Sequence, residues 1–156
     1  MHTDELFDAI RSQNATRVKE LLEKDPSLAA AKDQRGSTAL LLATYYGFED
    51  VAAEVLKFDQ NIDAQDASGN TALMGVSFKG YPGIAILLIE SGADVNAQNF
   101  NGATALIFAA TFNQEEIVKL LIDNNADTDL TDSRGQKAAD HARMQGLNHL
   151  VELIEG

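Results

Sequence analysis

Gly36, Gly69, Gly102 and Gly135 stand 33 residues apart, and "GSTALLLA", "GNTALMGV" and "GATALIFA" follow the first three without a gap. "GQKAADHA" after the fourth glycine is a polar echo of the same phrase. A fixed period of this length constrains the chain more than any local propensity does, because it demands one supersecondary unit stacked repeatedly on itself.

The internal layout of the unit follows from its punctuation. Eleven residues after each period glycine stand Gly47, Gly80, Asn113 and Gly146, and the same offset one period earlier falls on Asn14. Glycine and asparagine take the left-handed backbone most readily, so a first helix is predicted to end at each of these points. Twelve residues further on, Asp59, Gly92 and Asn125 predict the end of a second helix. Thr38, Thr71 and Thr104 precede apolar stretches, where a hydroxyl can accept a bond from an unpaired helix amide. The second helices carry an apolar face in "GIAILLI" and "EIVKLLI" and a weaker one in "DVAAEVL", where Glu54 stands at the register of Leu87 and Leu120. Pro82 falls in a first helical turn, where its missing amide proton costs nothing. The segments "NIDAQDASG", "DVNAQNFNG" and "DTDLTDSRG" read as projecting hairpin-like turns, and the recurrence of Asp63, Asn96 and Asp129 reads as turn capping. The unit is helix, turn, helix, long turn, which makes the chain an all-α solenoid.

These features resemble the ankyrin repeat family, in which a glycine, Thr-Pro-Leu-His, an alanine pair, a glycine and a "GADVNA" segment recur every 33 residues; "SGADVNAQN" at 91–99 matches almost letter for letter. The resemblance implies one domain over 1–156, with repeats at about 1–33, 34–66, 67–99, 100–132 and 133–156. Two departures are systematic: the family's proline is Ala39, Ala72 and Ala105 here, and its histidine is Leu41, Met74 and Ile107. The uneven drift argues for a natural sequence over one designed by consensus, and "GNTALMGVSFKG" looks like small stand-alone bacterial members of the family. "ATRVKELLEKDPS" at the front and "QKAADHARMQGLNHLVELIEG" at the back are polar enough to be caps, which implies a complete, monomeric array.

Composition narrows the function. The longest apolar runs, such as "IAILLI", are far short of the ~20 residues a membrane span requires. "MHTDELFDAI" lacks the basic and apolar layout of a secretory signal, so a cytoplasmic protein is expected. There is no cysteine, hence no disulfide, thiolate metal site or thiol nucleophile. Twelve basic against twenty-four acidic residues give a formal charge of −12, which repels phosphate backbones and anionic lipid and speaks against nucleic acid and membranes. The surplus acid reads first as solubility and second as steering toward a basic partner.

The tyrosine pair of "GSTALLLATYYG" carries the functional signal. Leu40 and Ala43 mark the buried face of their helix, and at roughly 100° per residue Tyr45 points away from it, while Tyr46 falls on a flank partly shielded by the next repeat. Proteins similar to this one grip partners with the long-turn tips and the outward faces of the first helices, at offsets −2, −1, +1, +9 and +10 from each period glycine. These offsets include Arg35, Tyr45, Tyr46, Phe78, Lys79, Phe100, Asn101, Phe112, Arg134 and Met144. Ten aromatic residues spread evenly over 156 positions would place roughly one among the twenty positions so defined, whereas five are there. Tyr45, Tyr46, Phe78, Phe100 and Phe112, with Met144, are therefore expected to form a solvent-facing stripe that anchors a protein or peptide partner. Rings leaning on adjacent helices to cover the flank are the competing reading. Arg35 and Arg134 are expected at turn tips, as weaker contacts.

Catalytic constellations are missing. His141 and His149 are a weak metal pair in a capping repeat, and "DNNADTDLTDSRG" fails as a calcium loop because Thr128 and Arg134 stand where glycine and glutamate are required. No phosphate-binding glycine loop or Gly-x-Ser-x-Gly elbow occurs, and Glu115 and Glu116 point in different directions on their helix. The expectation is a non-enzymatic interaction module without cofactor or metal. A structural or stress-protective accessory without a dedicated groove partner is the alternative.

Overall fold

The computed structural model describes residues 2–156. Among these described residues the chain forms ten α-helices and no β-strand: α1 (His2–Arg11), α2 (Ala15–Lys24), α3 (Ala39–Tyr45), α4 (Glu49–Val55), α5 (Ala72–Lys79), α6 (Pro82–Glu90), α7 (Ala105–Thr111), α8 (Glu115–Asp123), α9 (Ala138–Met144) and α10 (Asn148–Glu155). A short 3₁₀ turn, Pro26–Ala30, follows α2. The odd-numbered helices pack side by side as an inner layer and the even-numbered ones as an outer layer, each odd helix also packing on the even one that follows it. Alanines at the inner seams, among them Ala39, Ala43, Ala105, Ala109 and Ala142, are buried and let the helix backbones approach closely. Val51, Val55, Ile84, Leu88, Val118 and Leu121 close the outer layer over them.

The helix starts follow the sequence. The hydroxyls of Thr38, Thr71 and Thr104 accept from the amides of Leu41, Met74 and Ile107 at 3.2–3.3 Å. At the equivalent start of α9, where the threonine is Lys137, the Asp140 carboxylate reaches back to the Lys137 amide at 2.9 Å. Pro82 is the first residue of α6. Gly47, Gly80, Asn113 and Gly146 end first helices with positive φ.

Two expected helix ends differ. At the first, the left-handed residue is Gln13 (φ 54°), not Asn14, because the Asn14 side chain caps α2 by accepting from the Arg17 amide at 3.1 Å. Asp59 is not left-handed, unlike Gly92 and Asn125. There α4 stops early, and the Gln60 side-chain amide donates to the carbonyls of Val55 and Phe58 at 2.6 and 3.0 Å, supplying the termination that a glycine supplies elsewhere. Glu54, the misfit of its register, turns its carboxylate onto Lys57 Nζ at 2.9 Å.

The projecting turns are hairpins held by side chains. Asp33, Asp66, Asn99 and Asp132 each lie three residues before a period glycine, and each Oδ1 accepts from two backbone amides, two and four residues onward, at 2.8–3.0 Å. The backbone amide of each of these four donates in turn to the carbonyl four residues ahead at 2.9–3.0 Å. Asp63, Asn96 and Asp129 are not the caps of their own turns: their amides donate to Asn61, Asp94 and Asp127 Oδ1 at 2.9–3.0 Å, and the Oδ1 atoms of Asp63 and Asn96 instead accept from the amides of Asp94 and Asp127, one repeat further along, at 2.9 and 2.7 Å. The Gln65 and Gln98 amides likewise bridge carbonyls on consecutive hairpins.

Thr104→Ala removes a buried cap and is expected to cost about 1–2 kcal/mol in urea unfolding, with Thr104→Ser retaining most of that stability. An unchanged midpoint in the alanine variant would show that the cap bond is redundant.

Candidate functional site

The first helices and the hairpins enclose a concave groove of about 1030 Å³ along α1, α3 and α5. Its wall is the row of hairpins anchored by Asp33 and Asp66, and its floor is the outward face of the inner helices. Of the ten residues expected to contact a partner, Arg35, Tyr45, Tyr46 and Phe78 line this groove. Two more adjoin it. Lys79 Nζ lies 4.7 Å from the centroid of the Tyr45 ring, and the Phe112 ring meets Phe78 edge to face at 4.7 Å. Contacts of these kinds contribute about 0.5–1.5 kcal/mol each, enough to orient the rings without burying them.

The other four lie elsewhere. Phe100 sits over Gly69 at a hairpin, its amide donating to the Ser68 carbonyl at 3.2 Å, and lines a smaller hollow with Ala29 and Ala30. Asn101 accepts through its carbonyl from the Ser133 amide at 2.8 Å, and Arg134 tips the following hairpin. Met144 Sδ is 3.3 Å from Gln136 Nε2 at the far end of the array. Tyr45, Tyr46, Phe78, Phe100, Phe112 and Met144 are all open to solvent, with exposures from 41% to 70%. Tyr46 is partly shielded, as its flank position suggests: it is 46% exposed and rests on Phe48 of its own repeat, ring centroids 5.6 Å apart.

A family model described as ankyrin repeats (3 copies) matches residues 6–99 and again 79–155. The chain belongs to the ankyrin repeat family. Ankyrin repeats are in general protein-interaction modules, and the family is typically non-enzymatic. No curated protein matches the chain. No described helix is long and apolar enough to cross a membrane.

The offsets used for the sequence reading pass over one row of the ankyrin groove. Leu42 and Phe108 line its floor six residues after their period glycines, and Gly75 holds the same register between them. The signal was available: on a helix, these positions share a face with the residues three and four further on, which include Tyr45, Tyr46, Phe78 and Phe112. Gly75 weakens α5 by about 1 kcal/mol relative to alanine. Phe108 supports Phe78 at a centroid distance of 6.4 Å.

The fourth member of that row is His141, whose Nε2 lies 2.7 Å from Asp132 Oδ2. His149, its companion in the sequence, contacts Asn113 Oδ1 at 3.1 Å instead, so the two imidazoles serve different partners. Burial pushes the Asp132 carboxyl upward, but the Gln136 and Arg134 amides and the His141 imidazole outweigh it and hold the group below its ordinary value. A depressed carboxyl adds stability that is fully present above its unfolded-state pKa and is lost as pH falls through the folded one. Asp132→Asn is expected to keep the hairpin cap, as Asn99 does one repeat earlier, while flattening the acid limb of the stability curve. Melts of both proteins below about pH 4 check this; a gap between them that stays constant with pH would contradict it.

Proposed function

We propose that the protein is a non-enzymatic interaction module, a monomeric array of five repeats over 1–156 that holds a protein or peptide partner in its concave groove. The observation that supports this reading is the open aromatic surface of that groove: Tyr45, Tyr46, Phe78 and Phe112 stay in water although each carries enough apolar area to anchor an interface. Packing does not require them there, since the inner helices bury their opposite faces against one another. Arg35 and Lys79 edge the aromatic surface, and Phe100, Asn101, Arg134 and Met144 extend the contact along the hairpin tips and the last repeat. The net charge of −12 favours encounter with a cytoplasmic protein of positive overall charge, of which the groove takes one segment. No cofactor or metal enters this role.

The triple variant Tyr45→Ala, Phe78→Ala, Phe112→Ala is expected to abolish capture of a stoichiometric, salt-tolerant partner from native lysate. Because Phe78 packs on Phe108 and Phe112, the triple variant is expected to lose about 1–3 kcal/mol yet stay helical by circular dichroism, so capture is compared well below its melting point. Intact capture by the triple variant would refute the groove, and diffuse, salt-sensitive association of the wild type would favour a structural or stress-protective accessory.

A further inference from the structure

Gly75 stands in the interior of α5, where glycine weakens a helix, and nothing in the fold calls for it. Its backbone is ordinary helix, with the amide donating to the Thr71 carbonyl at 3.1 Å. Close approach does not exclude a side chain either: a Cβ at Gly75 would meet no atom within 4 Å, whereas at Gly47 and Gly69 it would run into Tyr81 and Phe100. The open direction is the groove. Because α5 packs between α3 and α7, which carry Leu42 and Phe108 at the same register, the floor has a notch one side chain deep with an apolar residue on either side.

The charges around the notch select among occupants. Lys32 and Arg35 line the groove and Lys79 covers Tyr45, yet none of the three has a carboxylate within 4.0 Å among the described residues, in a chain with two acids for every base. The groove's own acids are mostly committed. Asp8 pairs with Arg11 at 3.3 Å, Asp33 holds two hairpin amides and lies 3.8 Å from Arg11, and Asp66 holds the amides of Ser68 and Asn70. Asp4 stands apart, in the first turn of α1.

Resting on the reading of the groove as the partner surface, we propose that Gly75 is its specificity subsite: the bound segment is a peptide that seats one large apolar side chain over Gly75, between Leu42 and Phe108, and sets flanking carboxylates against Lys32, Arg35 and Lys79. A partner of positive overall charge can present such a segment locally.

The test is selection of a displayed library of random linear peptides on the wild-type protein at physiological salt, with the Tyr45→Ala, Phe78→Ala variant as counter-selection. Enriched peptides are expected to share a large apolar residue flanked by Asp or Glu. A synthetic peptide of that consensus is expected to lose affinity at least about 10-fold on Gly75→Leu. Gly75→Leu and Gly75→Ala are expected to raise Tm by about 2–4 °C, so that binding and stability move in opposite directions and misfolding cannot account for the loss. Arg35→Glu and Lys79→Glu are expected to weaken the same peptide. A basic consensus, or an affinity indifferent to Gly75→Leu, overturns the subsite while leaving the groove reading intact. Failure to enrich any peptide that the counter-selection removes overturns both. A concentration-dependent dimer abolished by Gly75→Leu would make a second copy of the chain the occupant and overturn the peptide assignment.

Discussion

Each helix pair has an apolar face that only its neighbours can bury, and the rest of the molecule follows from that dependence. Ala43, Val51 and Val55 are sealed because the pairs on both sides press against α3 and α4. The seam uses one face of each inner helix, lined with small side chains so that the backbones come together. The opposite face carries less of the packing: Leu42 and Phe108 are partly buried against the core, whereas the exposed rings beside them need another explanation. On α3, α5 and α7 that face carries Leu42 and Tyr45, then Gly75, Phe78 and Lys79, then Phe108, with Tyr46 and Phe112 immediately after α3 and α7.

Polar bonds settle how rigidly the surface is held. Each hairpin is closed by one Asp or Asn side chain that accepts two amides, and successive hairpins are tied by Asp63, Asn96, Gln65 and Gln98. Exposed bonds of this kind contribute about 1 kcal/mol or less apiece, but their repetition fixes the spacing of the groove wall. A partner would meet a preformed surface, so little binding energy would be lost to ordering it. The ion pairs of the second helices, such as Lys57 with Glu54 and Lys119 with Glu115, are exposed on at least one side and add little to stability.

Most of this was legible in the sequence because repetition turns weak local signals into strong ones. One threonine before an apolar stretch is a suggestion; Thr38, Thr71 and Thr104 at a fixed interval are a helix start, and the three cap bonds follow. The same averaging hid what is particular to one repeat. Gln13 takes the left-handed place because the Asn14 side chain caps the start of α2, and Asp59 is spared it because Gln60 serves the end of α4. The bond from the Asp94 amide to Asp63 spans two repeats and the contact between His141 and Asp132 links a hairpin to the helix after it, and periodicity does not specify which side chain reaches across. Gly75 was readable as a break in the apolar helix pattern, but its meaning depends on the empty volume above it. Helix geometry was enough to turn Tyr45 outward, whereas the setting of Tyr46 depends on the position of Phe48 within the turn.

Tyrosine emission addresses the central claim most directly, because the chain has no tryptophan and three tyrosines. In Tyr81→Phe only Tyr45 and Tyr46 emit. If those rings stand open in the free protein and lie under the partner in the complex, acrylamide will quench them readily in the first state and poorly in the second. Weak quenching of the free protein, or quenching that a saturating partner leaves unchanged, would contradict a groove built around them.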